Sequence, residues 1–328
     1  MANYKDIHGA LIETVSSDPD NPVNGQVWYN SAEQKLKGFK ENPAGSWASG
    51  GNLNTGRSLM GSAGIQTAAL AVGGDSNSPP PPGRDLAIVE SYNGSSWTEI
   101  TDLGSSRRRI SAAGTQTSAI AAGGFEPPSV AKAETWNGSS WTEVNDLQQA
   151  RSSTGMAGAS NTSALIFGGG PPAGDVTAET ESYDGTNWTE LSDLNTSGYG
   201  STGTGIATAA ICFDRASTSD AAQTVVETWN GSAWTEVANL NTPRYYSGGA
   251  GTSTAALCFG GASPSNVANN EAWNGSAWTE VGDLSTAISG NGGEGTQASA
   301  LSFGGSPGVN STEEFTYPVE TTVTFTVS

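Results

Sequence analysis

A short apolar run recurs along the chain, and its length and flanking residues predict buried β-strands. Each run has five residues, which is too short for a typical helix. Two glycines follow the run in five copies, whereas Asp214 and Arg215 stand there in the sixth. Helix formers are scarce between the runs, so the pattern favours an all-β chain. The runs are 68–72, 118–122, 163–167, 209–213, 255–259 and 299–303.

Tryptophans repeat at nearly constant spacing around these runs. The intervals between six of them are 50, 44, 47, 46 and 44 residues, and a leucine follows each tryptophan six residues later. A period near 46 residues with one tryptophan per unit is typical of a β-propeller or a similar array, whose units share one continuous core. The tryptophans are Trp47, Trp97, Trp141, Trp188, Trp234 and Trp278.

Glycine turns divide each unit into four strands. An Asn-Gly or Asp-Gly pair, such as Asn93-Gly94, precedes five of the tryptophans and predicts a tight hairpin, because a type I′ turn needs positive φ at both central residues. A second glycine, such as Gly64, lies between a stretch of small residues and the apolar run. Small residues suit the innermost strands of a propeller, since crowding near the axis limits side-chain bulk.

The net charge of −19 excludes several classes of ligand. Nucleic acids and anionic membranes require a basic surface. No apolar run reaches the roughly 18 residues of a membrane span, so no membrane insertion is expected. Because residues 1–10 carry no apolar run, we expect no secretory signal and synthesis in a cytoplasm. Cys212 and Cys258 are then expected to be buried thiols without a disulfide.

The order of residues within each unit resembles the kelch repeat. The order is an arginine, two strands, the glycine pair, a loop, Glu-x-aromatic, a turn, Trp and Leu, and the unit occurs in six copies over about residues 45–317. The arginine is present in four of the copies and the glycine pair in five. The unit is slightly shorter than the kelch norm, and Asp214-Arg215 departs from the pattern. The resemblance implies a six-bladed β-propeller that serves mainly as a binding or structural scaffold.

The last unit lacks a fourth strand, which suggests how the propeller closes. Its third strand ends at Phe315, and the missing fourth strand is present around Trp47 near the other end of the chain. Pairing these strands would close the ring and remove exposed sheet edges. The alternating segment 322–327 is a rival for the same place. The expected domains are an N-terminal hairpin arm (1–40), the propeller (41–318) and a C-terminal tail strand (319–328).

Two further resemblances point to phage particles. The degenerate Asn-Gly-Ser-Ser-Trp-Thr-Glu unit is similar to kelch-like arrays in virion proteins of marine tailed bacteriophages, and residues 24–39 resemble a hairpin module of phage tail fibres. These resemblances imply a structural protein of the virion, a tail fibre or capsid decoration, made in the bacterial host. Residues 1–40 would contact other virion proteins or form a homo-oligomer, with Trp28, Tyr29 and Phe39 as candidate attachment residues.

Arginines are the candidate binding residues of the propeller. One arginine position recurs in four units, where a ring of guanidinium groups could hold an anionic sugar or carboxylate. The alternative is that these side chains brace loops by pairing with acids or carbonyls, as kelch arginines commonly do. Arg108 and Arg109 extend one copy into a basic cluster, and Phe125 begins a variable loop of the kind that carries binding sites. The recurring arginines are Arg57, Arg107, Arg151 and Arg244.

Three functions are compatible with these patterns. The first is a virion component whose propeller binds sister proteins or a host-surface glycan or protein. The second is a free lectin-like or protein-binding propeller. The third is a glycoside hydrolase, for which acids are abundant but no pair is marked as catalytic. The single histidine, His8, lies near the N-terminus, so we expect no catalytic triad, no metal site and no cofactor.

Overall fold

The computed structural model describes residues 12–19, 25–42, 44–76, 85–170, 176–317 and 319–325. These residues form strands, turns and loops without a helix, which confirms the all-β prediction. The chain divides into two compact units, one of residues 1–45 with 317–328 and one of residues 46–316.

The smaller unit is a four-stranded sheet built from both ends of the chain. Its strands are Glu13–Val15 (β1), Val27–Asn30 (β2), Lys35–Asn42 (β3) and Val319–Phe325 (β30), in the order β1-β2-β3-β30. The β2 and β3 strands form the hairpin that the sequence predicted, and β1 runs parallel to β2. The β30 strand pairs antiparallel with β3, so the expected tail strand belongs to the same sheet as the hairpin.

The larger unit contains six four-stranded antiparallel sheets, which are numbered 1 to 6 along the chain. In sheets 1 to 5 the strands lie side by side in chain order, and in sheet 6 the fourth strand is β4, from the N-terminal side. The first strand of this unit is Ser46–Ser49 (β4). Sheet 1 contains Gly61–Ile65 (β5), Ala68–Asp75 (β6), Asp85–Tyr92 (β7) and Trp97–Glu99 (β8). Sheet 2 contains Ser111–Thr115 (β9), Ser118–Ala122 (β10), Ala133–Trp136 (β11) and Trp141–Val144 (β12).

Sheets 3 to 6 repeat this arrangement, with one addition. Sheet 3 contains Gly155–Ser160 (β13), Ser163–Phe167 (β14), Thr180–Tyr183 (β15) and Trp188–Glu190 (β16). Sheet 4 contains Thr202–Ile206 (β17), Ala209–Phe213 (β18), Glu227–Trp229 (β21) and Trp234–Glu236 (β22), with a small hairpin of Arg215–Ala216 (β19) and Ala222–Gln223 (β20) between its second and third strands. Sheet 5 contains Gly248–Thr252 (β23), Ala255–Phe259 (β24), Asn270–Trp273 (β25) and Trp278–Glu280 (β26). Sheet 6 contains Gly292–Thr296 (β27), Ser299–Phe303 (β28), Thr312–Thr316 (β29) and β4.

The pairing of β4 with β29 joins distant parts of the chain. Trp47 lies opposite Phe315 in the antiparallel register, and their ring centres are 5.1 Å apart. The indole N–H of Trp47 also donates to the backbone carbonyl of Gly282 at 2.9 Å. The segment 322–325, the rival for this position, pairs with β3 instead, since β4 already occupies the edge of β29.

Apolar side chains fill the spaces between consecutive sheets. Ile120 of sheet 2 packs in one buried cluster with Ile166 and Trp188 of sheet 3. Phe303 of sheet 6 packs in another with Trp97 of sheet 1. Each sheet therefore buries its two faces against two different neighbours.

The first strands of the six sheets lie against one another. They contact in the order β5, β9, β13, β17, β23 and β27, and β27 in turn contacts β5. Their close approach explains the small residues, because a Cβ on Gly293 would lie only 2.4 Å from the backbone nitrogen of Gly249. Side chains larger than hydrogen are excluded there by sterics.

Candidate ligand-binding site

Five buried arginines form ion pairs with a repeated glutamate. Each guanidinium group contacts the glutamate of the third strand in its own sheet, as Arg151 Nη2 does at 2.6 Å from Glu181 Oε1. The glutamate also accepts backbone N–H groups from the loop after the repeated leucine. Burial lowers the pKa of the Arg57 guanidinium, and the carboxylate of Glu90 opposes that shift. The pairs are Arg57–Glu90, Arg107–Glu134, Arg151–Glu181, Arg215–Glu227 and Arg244–Glu271.

These contacts correct the expectation of an arginine ring open to a ligand. The side chains at the recurring arginine position are fully buried, and their terminal Nη groups donate to carboxylates and carbonyls of the same chain. Arg107 Nη1, for example, donates to the carbonyls of Gly123 and Lys132 at 2.9 Å. They are internal braces, which was the alternative from sequence. The arginines corrected in this way are Arg57, Arg107, Arg151 and Arg244.

A cycle of backbone hydrogen bonds links the six sheets. Two residues before each first strand, the backbone has a φ between 54° and 67°. The N–H of each such residue donates to the carbonyl of its counterpart in the preceding sheet, as Arg109 does to Leu59 at 2.7 Å. Leu59 donates to Gly290 at 2.8 Å, which completes the cycle. The six residues, here called the backbone ring, are Leu59, Arg109, Ser153, Gly200, Tyr246 and Gly290.

A cavity of about 210 Å³ lies among the first strands. The backbone ring bounds one end, and glycines near the ends of the first strands, such as Gly64 and Gly205, line the other. Most of the wall is Gly, Ala, Ser and Thr, and the charged residues along it are Arg109 and Glu294. A positive group therefore lies at the ring and a carboxyl group lies farther along the cavity.

The three arginines of the predicted basic cluster, Arg107, Arg108 and Arg109, lie in three different environments. Arg107 is an internal brace, as described above. Arg108 exchanges backbone hydrogen bonds with Phe125, places its guanidinium carbon 4.6 Å from the centre of that ring, and forms an ion pair with Asp85. The guanidinium carbon of Arg109 lies farther from the same ring, at 5.9 Å, and Arg109 is among the residues that line the cavity.

Arg109 is the one arginine of the described residues that has no acidic partner. Its Nε is buried without an acceptor among the described residues, but so is the Nε of four of the paired arginines, so the missing carboxylate is what distinguishes Arg109. Since the partly exposed side chain is not neutralised by a carboxylate, its charge is available to an anion at the end of the cavity.

Three tyrosines, which the sequence reasoning missed, lie beside the backbone ring. The ring centres of Tyr245 and Tyr246 are 5.3 Å apart, and that of Tyr199 is about 6 Å from both. The Tyr246 and Ser153 hydroxyl oxygens are 2.8 Å apart, so Tyr246 reaches from sheet 5 to sheet 3. Burial raises the pKa of Tyr246, and the charge of Arg109 opposes that rise.

A signal for two of these tyrosines, Tyr199 and Tyr245, was present in the repeat. The position before the backbone ring is serine in sheets 1, 3 and 6, but it is Arg108, Tyr199 and Tyr245 in sheets 2, 4 and 5. Large side chains at an otherwise small position break the pattern of the unit. Alignment of the six units by position would have shown the departure.

Glu294 is a second departure from the repeat. The equivalent positions of the other first strands hold alanine or threonine. Burial raises the pKa of the Glu294 carboxyl to about 8, and a hydrogen bond with Ser62 opposes the shift. The carboxyl group is therefore mostly protonated at neutral pH.

The candidate attachment residues of the smaller unit differ in accessibility. Trp28 is fully buried and donates its indole N–H to Asp18 at 3.0 Å, and Phe39 is also buried. Tyr29 is 36% exposed, since successive side chains of a strand point to opposite faces. The structure thus corrects the assignment of Trp28 and Phe39, which are core residues, and leaves Tyr29 as the accessible candidate.

No group of three or more His, Cys, Asp or Glu side chains that could hold a metal ion occurs among the described residues. Within the same residues, no helix is long and apolar enough to cross a membrane. No protein-family model matches the chain, and no curated protein matches it.

Proposed function

We propose that this chain is a structural protein of a phage virion, a tail-fibre or capsid-decoration component, whose six sheets are the blades of a closed kelch-like β-propeller. The propeller would bind other proteins or a host surface without catalysis. The observation that supports the propeller is the backbone ring, because a cycle of hydrogen bonds through all six sheets is the pattern expected of sheets arranged around one axis.

Contacts between sheets 1 and 6 support closure. The indole N–H of Trp97 in sheet 1 donates to Thr312 Oγ1 of sheet 6 at 3.0 Å, as Trp234 of sheet 4 donates to Thr180 of sheet 3 at the same distance. The Trp97 ring also lies 4.7 Å from that of Phe303. The junction between sheets 1 and 6 thus has the interactions of an interior pair of sheets.

The smaller unit supports the proposal of an attachment module. It combines strands from both ends of the chain into a separate sheet. Its accessible aromatic residue, Tyr29, is a suitable contact for another virion protein, since aromatic side chains are enriched at interfaces.

The proposal is tested with particles from a lysate of host cells infected by the encoding phage. Mass spectrometry of gradient-purified virions should detect the protein at a constant ratio to the capsid protein. Tyr29→Ala should lower this ratio severalfold. Ile65→Ala, which removes an exposed apolar side chain from the larger unit, should not. A protein found only in the soluble fraction would contradict virion membership.

A free lectin-like or protein-binding propeller is the second candidate. It is favoured by the unpaired Arg109 and the adjacent tyrosines, which form a binding surface that needs no particle. A soluble protein with saturable ligand binding and no particle association would select this function.

A further inference from the structure

We infer that the backbone-ring end of the cavity binds an acidic saccharide, with the sugar carboxylate on Arg109 and the sugar ring against Tyr246 and its aromatic neighbours. This site deepens the proposed binding function and does not depend on virion membership.

Charge is the first support for the site. The chain carries a net charge of −19, yet six of its seven described arginines are committed to carboxylates and Arg109 is not. Planar guanidinium groups bind carboxylates through two parallel hydrogen bonds, which gives both strength and orientation. A carboxylate is therefore the ligand group that Arg109 is best suited to hold.

Glu294 does not neutralise this charge from within the cavity. In β9, the strand that follows Arg109, the position equivalent to Glu294 is Ala113. Ala113 lies four residues after Arg109 in the sequence. At a rise of about 3.3 Å per residue, four residues correspond to about 13 Å along the strand. Arg109 and Glu294 are consequently separated along the cavity.

Backbone conformation is the second support. Arg109 and Tyr246 have φ values of 54° and 56°, a region that bulky L-residues rarely adopt. Glycine occupies the same ring position at Gly200 and Gly290. Leu59 and Ser153 have the same left-handed backbone, so it belongs to the ring position and not to one side chain. The fold therefore does not require arginine or tyrosine there, and positions held in this strained conformation are concentrated at binding sites.

The remaining groups match a sugar ring. Aromatic walls with a few placed hydroxyl groups are typical of small-molecule sites, and Tyr246 and Ser153 supply hydroxyls at the cavity. The volume of about 210 Å³ is below the roughly 300–1,000 Å³ of sites for drug-sized ligands. A single saccharide residue is thus the expected occupant.

The test is calorimetric titration of the full-length protein with galacturonate, galactose, acetate and inorganic phosphate. Galacturonate should bind more tightly than the other three ligands. Arg109→Gln should weaken galacturonate binding by at least about tenfold, since a hydrogen bond to a charged group is lost. Lys132→Gln removes one positive charge from an ion pair outside the cavity lining and should leave the affinity within about twofold of the original, as surface charges contribute little.

Arg109→Gly separates binding from folding. The variant should keep the Tm of the original protein or exceed it, because glycine suits the left-handed backbone, and it should still lose galacturonate binding. Equal binding of galactose, equally tight binding of acetate or phosphate, no binding of galacturonate, or unchanged affinity in Arg109→Gly would each overturn the site. Absence of the protein from virions would leave these results intact, so the two proposals fail separately.

Discussion

The side chain of Arg215 occupies the space beside Gly198. A Cβ on Gly198 would lie 2.8 Å from Arg215 Cδ, at the position from which four other sheets extend their buried arginine. Arg215 Nη1 lies 2.9 Å from Glu227 Oε1 and 2.6 Å from the carbonyl of Thr196. This unit lacks both the usual arginine and the glycine pair. Arg215, which replaces the second glycine, supplies the missing guanidinium group, so the two departures from the repeat compensate for each other.

Removing Arg215 should lower the free energy of unfolding by the contribution of its buried ion pair. Arg215→Gly leaves the carboxylate of Glu227 buried without a cation, and loss of one partner of a buried ion pair costs about 3–5 kcal/mol. Urea unfolding should show this loss of free energy of unfolding. The double variant Gly198→Arg, Arg215→Gly should recover most of it, because the arginine then extends from the usual position.

A further variant tests whether the unpaired charge of Glu227 causes the loss of stability. Adding Glu227→Gln to Arg215→Gly removes the buried charge and should restore part of the stability. If Arg215→Gly alone unfolds at the same urea concentration as the original protein, Arg215 does not stabilise the fold by replacing the missing arginine.

The junction between sheets 1 and 6 should be as stable as an interior one. Thr312→Val removes the acceptor of the Trp97 indole N–H, and Thr180→Val does the same to Trp234. Each leaves a buried donor without an acceptor, which costs about 1–3 kcal/mol. Chemical unfolding should give similar losses for the two variants; a negligible loss confined to Thr312→Val would argue for an open junction.

Glu294 should make stability depend on pH. Its pKa is about 8 in the folded protein against an ordinary value of 4.5, so between these pH values the folded state holds a proton that the unfolded state has lost. The free energy of unfolding should fall as pH rises toward 8 and then level off. Glu294→Gln should flatten the decline between pH 6 and 8.

The measurement is urea unfolding at pH 6, 7, 8 and 9 for both proteins. Burial raises the pKa of Asp214 to about 6, so Asp214 titrates at the lower edge of this window with an effect of the same sign. Because Asp214 is present in both proteins, its contribution cancels in the difference between their pH profiles. Parallel pH profiles for the two proteins would exclude Glu294 as the source of the pH dependence of stability.

The two cysteines should be unreactive until the larger unit unfolds. Both thiols are free and buried, and burial raises the pKa of each to about 12. Because the thiolate is the reactive form, iodoacetamide should modify neither residue in the native protein at pH 8 and both in urea. Mass spectrometry of the intact chain counts the added groups, and rapid native labelling of Cys212 or Cys258 would contradict their burial.

The sequence by itself determined the repeated part of this protein. Strand order and turn positions follow from local signals, namely five-residue apolar runs, glycine turns and one tryptophan per unit, and these signals recur six times. The partnership of Trp47 with Phe315 could also be predicted, since the spacing of the repeat left one strand missing at one end and one spare at the other.

Only the tertiary structure decided how individual side chains are used. Whether Arg107 is a brace and Arg109 a free charge depends on contacts with residues far along the chain, which spacing alone does not report. The same holds for Arg215 beside Gly198, and for β30, which pairs with β3 across nearly the whole sequence. Local patterns specify backbone geometry because they act over a few residues, whereas partners and burial depend on packing between sheets.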